Sequence, residues 1–497
     1  MAVRPVPVLE RFLVVGVLTL LVWAPLPLAS NRAWSSALLV MGVALLVLLL
    51  GVLQLRVRMP RNPALVPGWI LFGVLLLAQA WVAVQWAFGL SAHPGETVRY
   101  LALGLAYSFL FLLVISLFYT RRRVTLVLSV LVISGLFQAF YGAMMVLSGS
   151  EWLFGVAKEH GRGLVTGTFV NRNHLAGYLE MTLAAGIGLM LALRTGQPLD
   201  WRNVLELLLG PKARLRLALI VMVIGLVMTH SRGGNVAFIT ALLLVGAVFV
   251  LRFPEHRWRN GLVLVSIIVI DVLVISHFFG LERLRERLSG TEISVTLEVA
   301  GPAPEAGGAP ATEVRSTGVD AFLRVRPSGE DLRLVFDMND LRGPLFSYTL
   351  PLALERTWIG YGAGSFETVF IARSGPGVGA RIDHAHNDYL QFWTEYGLIG
   401  VLPLAVFVMG SLGCALRALF DRTSLYRSGV GFGMAMAIVA ILIHSWSDFN
   451  LQIPANAATF IAICAIAVLA PLHAARRTRP GRRAERSAKA RDHVFSR

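Results

Sequence analysis

Four short polar stretches interrupt an otherwise apolar chain, and their residue types could carry out chemistry together. They are Asn171-Arg172-Asn173-His174, His230-Ser231-Arg232-Gly233-Gly234, His384-Ala385-His386-Asn387-Asp388 and Ser447-Asp448-Phe449-Asn450. An arginine fork holds a phosphate bidentately. The glycines after Arg232 leave backbone N–H groups exposed near a helix start, where an anion binds well. An imidazole such as His384 or His386 titrates near neutral pH and suits a general base. Each stretch alone also fits a blander reading: Arg232 as a snorkelling interfacial arginine, the histidines as hydrogen-bonded loop residues, the set as ordinary polar turns. Asp383 and Asp388 lie near the histidines but have no spacing that defines a metal-ligand set. Gly360-Tyr361-Gly362-Ala363-Gly364 lacks the strand-turn-helix setting of a nucleotide loop and reads as a tight turn.

The elements that must position these groups follow from composition. The chain has 497 residues, is 56% hydrophobic and only 15% charged, with a mean hydropathy of +0.67. That balance excludes a soluble cytosolic enzyme and predicts an all-α polytopic membrane protein. A bilayer core needs about 20 apolar residues per helix, and such runs predict about twelve transmembrane helices. Their limits are near 12–29, 34–54, 69–89, 99–119, 124–148, 174–193, 217–229, 233–251, 261–279, 397–416, 428–447 and 453–474. The first run is followed at once by further spans and reads as a retained helix rather than a signal peptide. Cys414 and Cys464 both fall inside apolar runs, which argues against a disulfide framework or a cysteine metal site.

A net charge of +16 would suggest nucleic acid in a soluble protein, but here its placement matters more than its sum. Arginines and lysines crowd one set of alternate connections: Arg56, Arg58 and Arg61; Arg121 to Arg123; the stretch Arg194 to Arg216; Arg252, Arg257 and Arg259; Arg417, Arg422 and Arg427; and the tail after Arg476. The other set is nearly balanced. By the positive-inside rule the crowded side is cytoplasmic, both termini lie there, and all four polar stretches fall on the outer side. No nucleic-acid partner is expected; membrane lipids are, with the basic tail 475–497 held near anionic headgroups.

Domain organisation follows the same pattern, with residues 1–279 carrying the first nine spans and 397–474 the last three. Between them, residues 280–396 form an outer segment too long to be a plain connection. Alternating residues over about 291–337, as in Ile293–Val299, Phe322–Val325 and Leu332–Phe336, predict a small β-rich module. Short helices and the glycine turn are expected over about 340–396. Within the spans, Glu180 and Asp271 are intramembrane carboxylates, a class that often marks function. Glu180 lies about two turns below His174 on one helix face, where it either lines a cavity floor or pairs inside the bundle. His444 and Asp448, one turn apart, either line the rim of a site or cap the helix.

Several of these stretches resemble the O-antigen ligase and polymerase-like glycosyltransferases of bacterial inner membranes. His386-Asn387, nine residues and then Gly397-Leu398-Ile399-Gly400 reproduce that family's H-N-x9-G-x-x-G pattern. Thr229 to Gly234 resembles its Ser-Arg-Gly-Gly turn, and Gly167 to His174 a third element. Arg342, a helical stretch and the run Trp358 to Phe366 resemble its periplasmic Arg-helix-glycine-turn unit. The resemblance spans roughly 165–450 and leaves the 291–337 stretch unmatched.

The resemblance implies transfer of a glycan from undecaprenyl diphosphate to an acceptor hydroxyl at the periplasmic face, inverting the anomeric centre, with no metal or nucleotide cofactor. It implies that Arg232 and Arg342 bind the diphosphate and stabilise its departing charge, and that His386 takes or orients the acceptor proton. Arg172 and His174 would support the arginines, His384 would partner His386, and Asn171, Ser231 and Asn387 would complete the substrate-binding set. The acceptor would be lipid A-core for a ligase of lipopolysaccharide biosynthesis, or another carrier-linked repeat for an exopolysaccharide or O-antigen polymerase. The H-N-x9-G-x-x-G form favours the ligase. A protein O-oligosaccharyltransferase is a third relative. A twelve-span transporter fits the span number, but no six-span repeat is visible and Arg56-Val57-Arg58-Met59-Pro60-Arg61 lacks the Gly- and Asp-containing gating motif.

Overall fold

The computed structural model describes residues 8–57, 62–153, 156–158, 162–193, 211–252, 261, 296–299, 332–335, 342–374 and 382–472. Apolar sequence in a bilayer must satisfy its backbone internally, so the long hydrophobic runs become helices. In order they are α1 (Val8–Trp23), α2 (Ala33–Arg56), α3 (Leu65–Ala87), α4 (Pro94–Leu117) and α5 (Arg121–Leu147). A short ribbon, β1 (Trp152–Leu153) with β2 (Val156–Ala157), precedes α6 (Arg172–Ala192), α7 (Pro211–Met228) and α8 (Arg232–Arg252). Strands β3 (Thr296–Val299) and β4 (Leu332–Val335) follow, then α9 (Arg342–Glu355), α10 (Phe366–Ser374), α11 (Asp388–Leu419), α12 (Leu425–His444) and α13 (Pro454–Leu469). Local signals start them: the Thr120, Asn171, Asn387 and Ser424 side chains each accept a backbone N–H in the first turn. Proline opens α4 and α13, where its missing N–H costs nothing.

Among the described residues, nine helices are long and apolar enough to cross a membrane: α2 to α6, α8, α11, α12 and α13 extended to Leu472. The expected count of about twelve is thereby supported only for nine. At 16 residues α1 is shorter than a bilayer core requires. The 18-residue α7 carries Lys212, Arg214 and Arg216 in its first turns. The expected span 261–279, with Asp271, lies outside the described residues apart from position 261. Where a β-rich module is expected, the described residues form one antiparallel pair, Thr296 opposite Val335 and Val299 opposite Leu332. The strand expected near Phe322–Val325 lies outside the described residues, as does the tail after Leu472.

Membrane-length helices joined by short connections alternate in direction, and hydrogen bonds between helix ends define two faces. At one end Thr168 donates to the Pro25 carbonyl (2.6 Å), Gln85 to the Glu395 carbonyl (2.9 Å), Ala92 N–H to Tyr361 (2.8 Å) and Asp388 N–H to Ser445 (2.9 Å). At the other, Asn62 donates to Ile115 (2.9 Å), Tyr426 to Arg121 (3.0 Å), Ser428 to Leu419 (2.9 Å) and Arg422 to Arg252 (3.2 Å). Arg56, Arg121 to Arg123, Arg252, Arg417, Arg422 and Arg427 belong to this second, basic end. The described parts of the four polar stretches belong to the first. Because α8 ends at the basic end and α9 packs at the other, the intervening chain starts and finishes on opposite faces.

Helices α6, α12 and α13 are enclosed along most of their length, whereas α2 and α11 turn much of their surface outward. Small residues set the tightest crossing. A Cβ on Gly188 of α6 would stand 2.6 Å from the Gly433 Cα of α12, with Gly429 against Ala192 one turn away. Such backbone contact suits a membrane interior, where van der Waals packing rather than a hydrophobic drive joins helices. It fixes how α6 and α12 are rotated against each other, and so which of their polar residues meet.

Candidate functional site

Phe449, in the hairpin between α12 and α13, is the pivot of the polar end. The His384 ring stacks on it at 4.2 Å between centroids with 19° between planes. His174 and His386 meet the same ring edge-on at 4.5 and 4.7 Å. Three imidazoles from two parts of the chain thus surround one phenyl ring. Beside it the Asp448 carboxylate, with no solvent exposure, stands 3.7 Å from His174 Nε2 and 3.8 Å from His386 Nδ1. These separations exceed a direct hydrogen bond, yet in a buried setting they are short enough for strong charge coupling. Burial would raise the Asp448 carboxyl, but His174, His444 and His386 together hold it below the usual carboxylate range. It is therefore a fixed buried anion.

Backbone geometry brings these groups together. Asn171 caps α6 by accepting the Asn173 N–H (2.8 Å), which places His174 in the first turn, where its carbonyl accepts from Asn456 (2.9 Å). Asn387 caps α11 by accepting the Leu390 N–H (3.1 Å). Asp388 then fastens the α12–α13 hairpin, accepting from the Ser445 hydroxyl (2.8 Å) and the Leu451 N–H (3.0 Å). His386 reaches its position at φ +49° and His230 at φ +54°, left-handed conformations uncommon for residues with a side chain. Such strain tends to collect at functional sites.

The Ser231 to Gly234 turn packs into the same region. A Cβ on Gly234 would be 2.9 Å from Glu180 Oε1, and one on Gly233 would be 2.6 Å from the Ser447 hydroxyl. Glu180 pairs with His444 at 2.8 Å, both fully buried. Of the two readings open for Glu180 and for the His444–Asp448 pair, the structure thus puts Glu180 in a pair inside the bundle. Ser231 is buried and its hydroxyl accepts the Gly234 N–H (3.2 Å), so it serves the start of α8. Arg232 is exposed at that start. Arg172, Arg232 and Arg342 are each the first residue of a helix. A cation there opposes the helix dipole, whereas an anion bound between arginine and helix end would satisfy both. The side chain of Arg342 lies outside the described residues.

The glycine turn is built against α11 instead of standing apart. Gly362 N–H donates to the Glu395 carbonyl and Tyr361 N–H to Thr394, both at 2.9 Å. This works because α11 breaks at Gly397 (φ +61°, ψ 177°). Side chains on Gly360 or Gly397 would collide with the facing backbone, so the two glycines make one joint. The span expected from 397 onward is therefore the lower part of a longer element that starts at Asp388 and is bent where the expected boundary falls. Beneath the joint, Gln391 contacts both His384 and Glu395.

Residues 217–405 match the O-antigen ligase family. No curated protein matches the chain. The matched stretch runs from α7 into α11 and takes in Ser231, Arg232, Arg342, His384, His386 and Asn387. It leaves out Asn171, Arg172, His174 and Asp448, which the fold adds from α6 and the last hairpin. This match is consistent with a role in glycan transfer.

Sequence reading misses the parts of Phe449, Gln391 and Glu395, while Asp448 enters it as a member of the fourth polar stretch and, with His444, at a rim or a cap. Its signal is an acid in a short hairpin between two apolar spans. For Gln391 and Glu395 the signal lies in their spacing, one helical turn apart just ahead of the span expected from 397. Among the described residues, no group of three or more His, Cys, Asp and Glu side chains is arranged to hold a metal ion.

Proposed function

We propose that this protein transfers a glycan from undecaprenyl diphosphate to an acceptor hydroxyl, in the manner of an O-antigen ligase, on the periplasmic face. The observation that carries the reading is the convergence of the matched family segment with His174, Asp448 and Phe449 at the end of the bundle away from the basic connections. The sorting of charge supports that end as periplasmic.

In this mechanism Arg232 and Arg342 hold the diphosphate, with Arg172 and the adjoining helix starts adding positive potential. The acceptor oxygen attacks the anomeric carbon as the bond from that carbon to the diphosphate oxygen breaks. The electron pair leaves on the diphosphate, and the acceptor proton passes to His386. Asp448 steadies the imidazolium that results, as a buried carboxylate does for a catalytic histidine. One displacement inverts the anomeric centre. Energy comes from the sugar–diphosphate bond, so the reaction calls for no nucleotide.

Deletion of the gene followed by analysis of the lipid-linked pool tests the reading. Full-length glycan accumulating on the carrier supports the ligase; single repeats accumulating supports a polymerase that uses a second carrier-linked unit as acceptor. An unchanged pool and unchanged surface glycan would exclude both.

A further inference from the structure

His384 and His386 are two residues apart, and sequence alone makes either a candidate base. The hydrogen bonds around His384 separate them. Gln391, buried in the first turn of α11, accepts the Ala385 N–H at its Oε1 (3.1 Å), which decides which end of the amide is oxygen. Its Nε2 therefore carries two protons. One points to Glu395 Oε1 (3.3 Å) and the other to His384 Nδ1 (2.9 Å). Nδ1 also lies 3.2 Å from Gln391 Oε1, but its shorter contact is with a donor, and a proton on Nδ1 would point into that N–H. The shorter contact favours Nδ1 as the acceptor, which in a neutral ring leaves the proton on Nε2.

The lock has a rigid backing. Glu395 Oε1 also accepts the Phe366 N–H (3.3 Å) at the start of α10, and both Gln391 and Glu395 are 1% exposed. Stacking on Phe449 holds the His384 ring in plane. Nε2 faces away from Gln391, 4.0 Å from the exposed Asp383 carboxylate.

We propose that Gln391 is a positioning residue that locks His384 as a neutral imidazole protonated at Nε2, so that His384 donates a hydrogen bond to a substrate oxygen while His386 alone accepts the proton. The donor role rests on the glycan-transfer reading; the lock does not. Burial, with His174 and His386 nearby, pushes the His384 imidazole down to about 4 against the opposing pull of Asp383 and of the Gln391 amide oxygen, which agrees with a ring that stays neutral. The other ionisable groups facing it are Asp448 across Phe449 and Glu395 behind Gln391.

Ring-15N histidine spectra of the full-length protein at neutral pH, with His384 identified by its loss in His384→Gln, test the lock directly. The expected signature is an unprotonated Nδ1 and a protonated Nε2. A proton on Nδ1, or an imidazolium, overturns the proposal. In Gln391→Glu an acceptor replaces the donor at Nδ1, so the tautomer should change and the pH at which His384 titrates should rise; Gln391→Met should lose the tautomer preference. An unchanged His384 signal in both variants would likewise overturn it. For the donor role, His384→Gln, which carries an N–H at about the Nε2 position, should retain at least about tenfold more transfer than His384→Asn, which carries one near Nδ1. Equal loss in the two overturns that role. If the unmodified protein shows no transfer while the Nε2–H tautomer is present, the lock stands and the proposed function falls.

Discussion

At the scale of single residues, the described site is built on His386 and Asp448. His386 and Asp448 come from different connections, one ahead of α11 and one between α12 and α13, and the buried aspartate stays charged because imidazoles face it. Replacing His386 with alanine should lower transfer by about 10²- to 10⁴-fold, the usual share of a general base. Asp448→Asn should cost about 100-fold, and Arg232→Ala or Arg342→Ala should abolish diphosphate binding while folded protein still reaches the membrane. Transfer assays with isolated carrier-linked glycan would check all four. Near-normal rates for Arg232→Ala would remove that residue from the diphosphate site. A second expectation concerns acid. Between the ordinary histidine value of 6.5 and about 4, unfolded chain takes up a proton at His384 and folded protein does not. Stability contributed by this residue is complete above that window and lost as pH falls through it. Thermal unfolding in detergent should therefore give a lower midpoint at about pH 5 than at about pH 7, with a smaller difference in His384→Gln. An identical difference in that variant would assign the acid sensitivity to other groups.

Among elements, the α6–α12 crossing and the joint at Gly397 decide which side chains meet. Gly188 and Gly433 let the two backbones touch, and that contact turns Glu180 toward His444. A leucine at position 433 has no room. Gly433→Leu should destabilise the protein by about 1–3 kcal/mol or more, the range for overpacking, and should part the Glu180–His444 pair. Chemical unfolding and a transfer assay on the same preparation would show both effects. A fully stable variant would mean that the crossing is looser than the contact indicates. The helices themselves were readable from hydrophobic runs, and the ends of α6 and α11 from Asn171 and Asn387. The head of α11 was not: Asp388 to Tyr396 is mixed in polarity and falls ahead of the span expected from 397, because the helix there is held by the glycine turn and the α12–α13 hairpin rather than by lipid.

For the whole molecule, the relevant quantity is the +16 charge and where it sits. Arg121 to Arg123, Arg252 and Arg422 gather at one end, and the histidine cluster at the other, so orientation in the membrane and exposure of the site are one question. With the two native cysteines replaced, thiols introduced at Ala92 and Gly307 should react with a membrane-impermeant reagent added from the periplasmic side. A thiol at Thr423 should react only after the membrane is opened. The reverse pattern would invert the topology and place the site in the cytoplasm.

The sequence by itself determined the class of molecule, the alternation of its helices and the motif residues, since each depends on a run of neighbours: apolar length set against bilayer thickness, charge counted loop by loop, a pattern read within a few turns. The tertiary structure alone decided that His174, His384 and His386 share Phe449, that Asp448 is their buried anion, and that Gln391 distinguishes one histidine from the next. Those outcomes depend on how each helix is rotated and how closely two backbones approach. Packing of the whole bundle settles both, and no local stretch of sequence carries them.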